Sequence, residues 1–160
     1  MKLRRAFLIV TALFVLSILL VLGMGLMNSQ SARYRGAVHA QDTAQALELA
    51  QSGLDDVRSK LELDPNFPPN PAEDQPTFNY AEDVIDSITT TAVGSFEVTV
   101  DTTYNKPPFN LVKVRVVGSV GPKEKPRAQR ILTAELLRNY SETAADVRWR
   151  WVNQQDGGAP

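Results

Sequence analysis

The sequence predicts an α+β fold. One long N-terminal helix, transmembrane in its first half, packs its distal half on a small antiparallel sheet of three to four strands. Three observations predict it. All ten prolines follow residue 64, so nothing before Pro65 breaks a helix by lacking an N–H. Inside that stretch an uncharged apolar block runs from Ala6 to Met27, and apolar residues then recur at helical spacing to Leu61. From Phe96 onward the period changes to two, as in strands with one face on a core.

The apolar block holds fourteen Leu, Ile, Val or Phe residues, and its clearly polar side chains are Thr11 and Ser17. At 1.5 Å per residue it spans roughly 33 Å, enough to cross a hydrocarbon core. Insertion is favoured by roughly 4–8 kcal/mol at about 0.3 to 0.6 kcal/mol per large apolar residue. Lys2, Arg4 and Arg5 hold the N-terminus in the cytoplasm, and Arg33 and Arg35 after the span weaken that asymmetry. A cleaved secretory signal is one alternative, with small residues at Gly23-Met24-Gly25, but the run exceeds the usual length of such signals. An ordinary signal anchor is the other.

Beyond the block, Ala37, Ala40, Ala44, Leu47, Ala50 or Gln51, Leu54, Val57 and Leu61 fall on one helix face. Gln41, Asp42, Gln45, Glu48, Asp55 and Arg58 fall opposite. The stripe is rich in alanine first and leucine later. Alanine lets another helix approach closely and leucine fits a core, so the proximal part is expected to meet neighbouring subunits and the distal part its own domain. A helix buried along its whole length in one domain is the alternative. Gly23, Gly25, Gly36 and Gly53 mark bends or close packing. Asp64-Pro65 ends the helix.

Pro65 to Pro76 reads as an irregular loop, and Tyr80 to Ile88 as a short helix with Val84, Ile85 and Ile88 on one face. Phe96, Val98 and Val100 alternate with polar residues, as do Val112, Val114 and Val116 after a turn at Asn105-Lys106-Pro107-Pro108. Gly118 to Pro126 reads as the next turn. Arg127 to Leu137 has helix-favouring composition but is assigned to a strand, because it follows two strands at hairpin distance. Val147, Trp149 and Trp151 alternate with Arg148 and Arg150, which fits an edge strand or a tail. Gln154 to Pro160 reads as disordered.

The net charge of −1 hides a polarity along the chain. Residues 1–35 carry five basic groups and no acidic ones; 36–101 carry thirteen acidic and two basic; 102–160 carry ten basic and five acidic. This fits solvated faces, or an acidic region of one subunit meeting a basic region of another. The absence of cysteine excludes disulfides, thiolate metal sites and cysteine nucleophiles. His39, the one histidine, has no second histidine or cysteine to share a metal, and no phosphate loop or nucleophile elbow occurs. No cofactor and no enzymatic activity are therefore expected. The basic and aromatic group Arg148, Trp149, Arg150 and Trp151 could hold nucleic acid or a partner, and solvated strand and turn charges are its commoner explanation.

Taken in order, these features resemble type IV pilin-like proteins, and most closely the PilX-like minor pilins. Lys2-Leu3-Arg4-Arg5-Ala6 before Phe7-Leu8-Ile9-Val10 looks like a prepilin leader ahead of an apolar helix. Ala46-Leu47-Glu48-Leu49-Ala50-Gln51-Ser52-Gly53-Leu54 looks like the segment those proteins carry after the membrane helix, commonly written A-x-x-A-E-A-G-L. Gly94 to Val100 and Val114 to Gly121 resemble their repeated strand pattern. The likeness covers roughly residues 1–137. It implies a pilin-like fold divided into a leader (1–6), a transmembrane helix (7–27), its extracytoplasmic continuation (28–63), a loop region (64–94), an antiparallel sheet (95–140) and a C-terminal tail or edge strand (141–160).

It also implies cleavage by a prepilin peptidase between Ala6 and Phe7, with methylation of the new N-terminus, and helix packing through Ala37, Ala40, Ala44, Leu47, Leu54, Val57 and Leu61. The implied partners are other pilin-like subunits, the peptidase and an inner-membrane assembly platform. The implied place is the inner membrane in a single pass, with the C-terminal domain extracytoplasmic and a route into a surface filament. Three positions depart from the family pattern: alanine stands before the cut, Gln51 replaces a glutamate, and Thr11 occupies the fifth mature position, where pilins usually carry glutamate. The last departure suits a minor, priming or tip subunit. The rival expectation is an uncleaved bitopic membrane protein with an extracytoplasmic sensory or binding domain.

Overall fold

A computed structural model describes residues 2–64, 67, 76–88, 90–139 and 148–159, with side chains except at 2–10, 139 and 148. One helix, α1 (Lys2–Leu63), precedes five strands: β1 (Thr77–Ile85), β2 (Ala92–Asp101), β3 (Leu111–Val120), β4 (Ala128–Asn139) and β5 (Arg148–Gly158). The strands form one antiparallel meander in the order β1-β2-β3-β4-β5. The fold is therefore α+β, with five strands rather than three to four. The chain divides into two units, Met1–Ala40 and Gln41–Pro160.

In the second unit, strand alternation aims Phe96, Val98 and Val100 of β2, Val112, Val114 and Val116 of β3, and Leu132, Ala134 and Leu136 of β4 into one core. Ala50, Leu54, Val57 and Leu61 of α1 fill it from the other side. β4 shows why propensity alone misleads. Its composition favours a helix, yet every second residue from Leu132 to Leu136 is buried beside a valine strand.

Three expectations change. Tyr80 to Ile88 is not a helix: β1 runs through Ile85 and a turn follows at 86–88, inside what reads as a loop region. Phe78, Tyr80 and Val84 turn partly inward with period two, while Ile85 and Ile88, assigned to a helix face, are 57% and 90% exposed. β3 continues through Gly118 to Val120, so the turn before β4 starts only at Gly121. Finally, Gln154 to Gly158 belong to β5, paired with β4 through Gly158. Edge pairing supplies there the backbone hydrogen bonds that a polar sequence gives no reason to expect. Most of the Pro65–Pro76 loop, and Val147, lie outside the described residues.

Candidate functional site

In the first unit, every residue from Thr11 to Ala40 is exposed, including Leu13, Phe14, Leu16 and Leu19 at 59–68% of their surface. The apolar segment of α1 is long and apolar enough to cross a membrane. Its polar side chains need internal partners there, and the Ser17 hydroxyl donates to the Leu13 carbonyl at 2.9 Å. Ala6 and Phe7 lie on this helix, with side chains outside the described residues.

In the second unit α1 approaches β3 at backbone range. A Cβ added at Gly118 would lie 2.2 Å from the Ala46 carbonyl oxygen and 2.5 Å from the Ala50 amide nitrogen. A Cβ at Gly53 would meet the Val116 methyl at 2.6 Å and the Phe96 ring at 3.0 Å. Small residues on both elements therefore set the closest approach. The helix-packing residues divide accordingly. Leu54, Val57 and Leu61 are buried, Leu47 is half-buried, and Ala37, Ala40 and Ala44 are exposed. The distal part of the expected stripe is thus buried, while in its proximal part the buried face lies one step round, through Ala46, Leu49 and Gly53 beside Ala50. The spacing of Ala46, Ala50 and Gly53 was the signal for it. Asp42, expected on the polar face, is instead buried, with its carboxylate 3.4 Å from the Arg127 guanidinium at the start of β4.

The end of α1 is pinned to both edge strands. Lys60 donates to Asp56 at 2.7 Å and to Glu82 of β1 at 2.6 Å, and sits 4.0 Å above the Tyr80 ring. The Tyr80 hydroxyl donates to Asp56 at 2.7 Å. Burial opposes the charge on Lys60, but the bonds to Asp56 and Glu82 outweigh it and raise its pKa above 10.5. Burial, then the Asp56 carboxylate, pushes the Tyr80 hydroxyl well above its ordinary 10.0. On β5, the Trp149 indole N–H donates to the Leu61 carbonyl at 3.1 Å, satisfying one of the orphan acceptors of the last helical turn.

That placement splits the Arg148, Trp149, Arg150 and Trp151 group. Trp149 is buried and Trp151 half-buried against the core, so the aromatic members serve packing and offer no open stacking platform. Arg150 is exposed, and the Arg148 side chain lies outside the described residues.

The sheet face away from α1 carries two polar rows that were not singled out in the sequence. One crosses all five strands as Thr77, Asp101, Lys113, Glu135 and Asn153. The next runs Asn79, Thr99, Arg115, Thr133 and Gln155. Between them lies an open pocket of about 440 Å³. Register alone creates these rows, which is why one strand at a time does not reveal them.

No family model, no curated protein and no solved structure matches the chain. Function must therefore be argued from these surfaces.

Proposed function

We propose that the chain is a non-catalytic minor pilin-like subunit of a type IV pilus or related filament machine, acting in filament assembly, priming or at the tip. One observation carries the reading. A single uninterrupted helix combines an exposed apolar half with a distal half held against an antiparallel meander at backbone range. Exposed apolar area of that size needs a cover. In the inner membrane lipid supplies it; in a filament the helices of other pilin-like subunits replace lipid. Ala37, Ala40 and Ala44 remain exposed, so the alanine part of the helix stays open to neighbours. The subunit would be cut by a prepilin peptidase after Ala6 and passed to filament by an inner-membrane assembly platform.

A second reading is an uncleaved bitopic protein with an extracytoplasmic binding domain. The polar pocket on the sheet favours it, because assembly alone gives that pocket no task. Shearing filaments from cells that carry the tagged chain separates the two. The pilin reading requires the tag in the sheared fraction, lost when the assembly platform is deleted. A tag confined to inner-membrane vesicles in both strains would rule for the bitopic protein.

A further inference from the structure

We propose that the outer face of the sheet binds an acidic saccharide, with Arg115 holding its carboxylate. The inference holds whether or not the chain enters a filament. Arg115 stands at the middle of β3, exposed, and its guanidinium makes no hydrogen bond or ion pair with another described side chain. Its direct partners across the strands are Thr99 and Thr133, so a hydroxyl flanks the guanidinium on each side. Neither hydroxyl bonds another described side chain. A guanidinium with flanking donors matches the planar, two-oxygen geometry of a carboxylate.

The surroundings select the rest of the ligand. In the neighbouring row Lys113 lies 3.8 Å from Glu135, and Asp101 is its partner across β2. Lys113 and Arg115 thus face Asp101 and Glu135, and the four formal charges cancel. A phosphate dianion or a nucleic-acid backbone would meet two carboxylates for its two cations. A single carboxylate reaching Arg115 avoids them, and the two acidic groups are then free to accept hydroxyl hydrogens. Asn153 and Gln155 on β5 add amides that both donate and accept. A polyhydroxylated body carrying one carboxylate, such as a uronic acid unit, uses all of these groups. The volume of about 440 Å³ falls within the range of small-ligand sites.

Beside Lys113, outside the pocket lining, stands an aromatic pair. Tyr104 and Phe109, on the loop between β2 and β3, pack edge to face at 5.7 Å and remain 40% and 61% exposed. The Lys113 ammonium sits 5.0 Å above the Tyr104 ring, which ties this pair to the pocket. A sugar ring has an apolar C–H face to lay there. A peptide fits less well. It would gain its affinity from free backbone donors, and the strands under the pocket spend theirs on each other.

The test measures binding of methyl α-D-galacturonoside, a single uronic acid unit, to the full chain in neutral phosphatidylcholine nanodiscs at low salt. The controls are its methyl ester, sodium sulfate and inorganic phosphate. Saturable binding is expected, weakened about ten- to hundredfold by Arg115→Ala and by esterification, and unchanged by Arg150→Ala. Absence of binding, or equal affinity in Arg115→Ala, overturns the proposal. Sulfate or phosphate competing as strongly as the saccharide overturns the saccharide assignment in favour of a simple anion site. Tryptophan emission, from Trp149 and Trp151 together, reports folding of each variant. If Arg115→Ala misfolds, the double variant Thr99→Val with Thr133→Val replaces it. Several-fold weaker binding there supports the site, and unchanged binding overturns it.

Discussion

Replacing Gly118 by alanine should separate the helix from the sheet. The added Cβ would sit 2.2 Å from the Ala46 carbonyl oxygen and 2.5 Å from the Ala50 amide nitrogen. Both are helix backbone and cannot swing aside as a side chain would. To restore the 3.4 Å of ordinary contact, α1 must retreat from β3 by about 1.2 Å. A gap of that size forfeits about half or more of the dispersion energy of the atoms it parts. Those atoms belong to Ala46, Ala50, Gly53, Phe96 and Val116, at the closest point of the interface. Overpacking of this kind costs typically 1–3 kcal/mol, and the absence of a flexible neighbour places Gly118 at about 3 kcal/mol. For a domain of this size that is a fall in Tm of roughly 10–15 °C. The assay is thermal unfolding of the full chain in detergent, followed by the combined emission of Trp149 and Trp151. Gly157→Ala on β5 is the control, because its new Cβ would meet Ile131 at an ordinary 3.5 Å. If Gly118→Ala melts within 2 °C of the Gly157→Ala protein, the backbone-range contact is wrong.

Other residues give independent checks. Trp149→Phe should cost about 1–2 kcal/mol, because the Leu61 carbonyl loses its donor inside the core; the denaturant midpoint by far-ultraviolet circular dichroism reads this. Leu61→Ala, at a fully buried position, should cost about 2–5 kcal/mol in the same measurement, whereas Leu63→Ala, 86% exposed, should cost almost nothing. Stability should also fall in alkali. The folded pKa values of Tyr80 and Lys60 are raised, so their contributions are complete below the ordinary values of 10.0 and 10.5 and are lost as pH climbs past them. Urea midpoints at pH 8 and pH 11 should therefore differ more in the wild-type protein than in Tyr80→Phe, and equal differences would exclude Tyr80 from the effect.

What could be read from the chain depended on whether a residue's environment is local. The apolar block and the valine alternation of β2 and β3 state their own surroundings, a helix long and apolar enough to cross a membrane for one and a half-buried face for the other. β4 needed its neighbours: Leu132, Ala134 and Leu136 gain their burial from β3 and α1, against their helical composition. β1 failed for the same reason in reverse. Val84, Ile85 and Ile88 suit a helix face by spacing, but Tyr80 is drawn to Lys60 and Asp56 and fixes an extended strand. The distal stripe of Leu54, Val57 and Leu61 is legible from spacing alone, whereas the proximal buried face lies one step round from Ala40 and Ala44, on Ala46, Leu49, Ala50 and Gly53. At this interface Gly53 and Gly118 mark the nearest contact. The C-terminal tryptophans looked like a surface patch because each fits a half-exposed edge. The burial of Trp149, its hydrogen bond to Leu61 and the packing of Trp151 show that they close the core. The outer-face pocket was illegible, since its two rows exist only once five strands are in register.

The account stands or falls on what happens at residues 6 and 7. Intact-mass measurement of the chain, expressed in membranes with and without a prepilin peptidase, tests this directly. If the chain is a pilin-like subunit, the enzyme removes residues 1–6 and leaves a chain beginning at Phe7, and a bulky Ala6→Trp is left whole. A chain that still begins at Met1 beside an active peptidase would contradict the pilin reading and leave the bitopic membrane protein in its place.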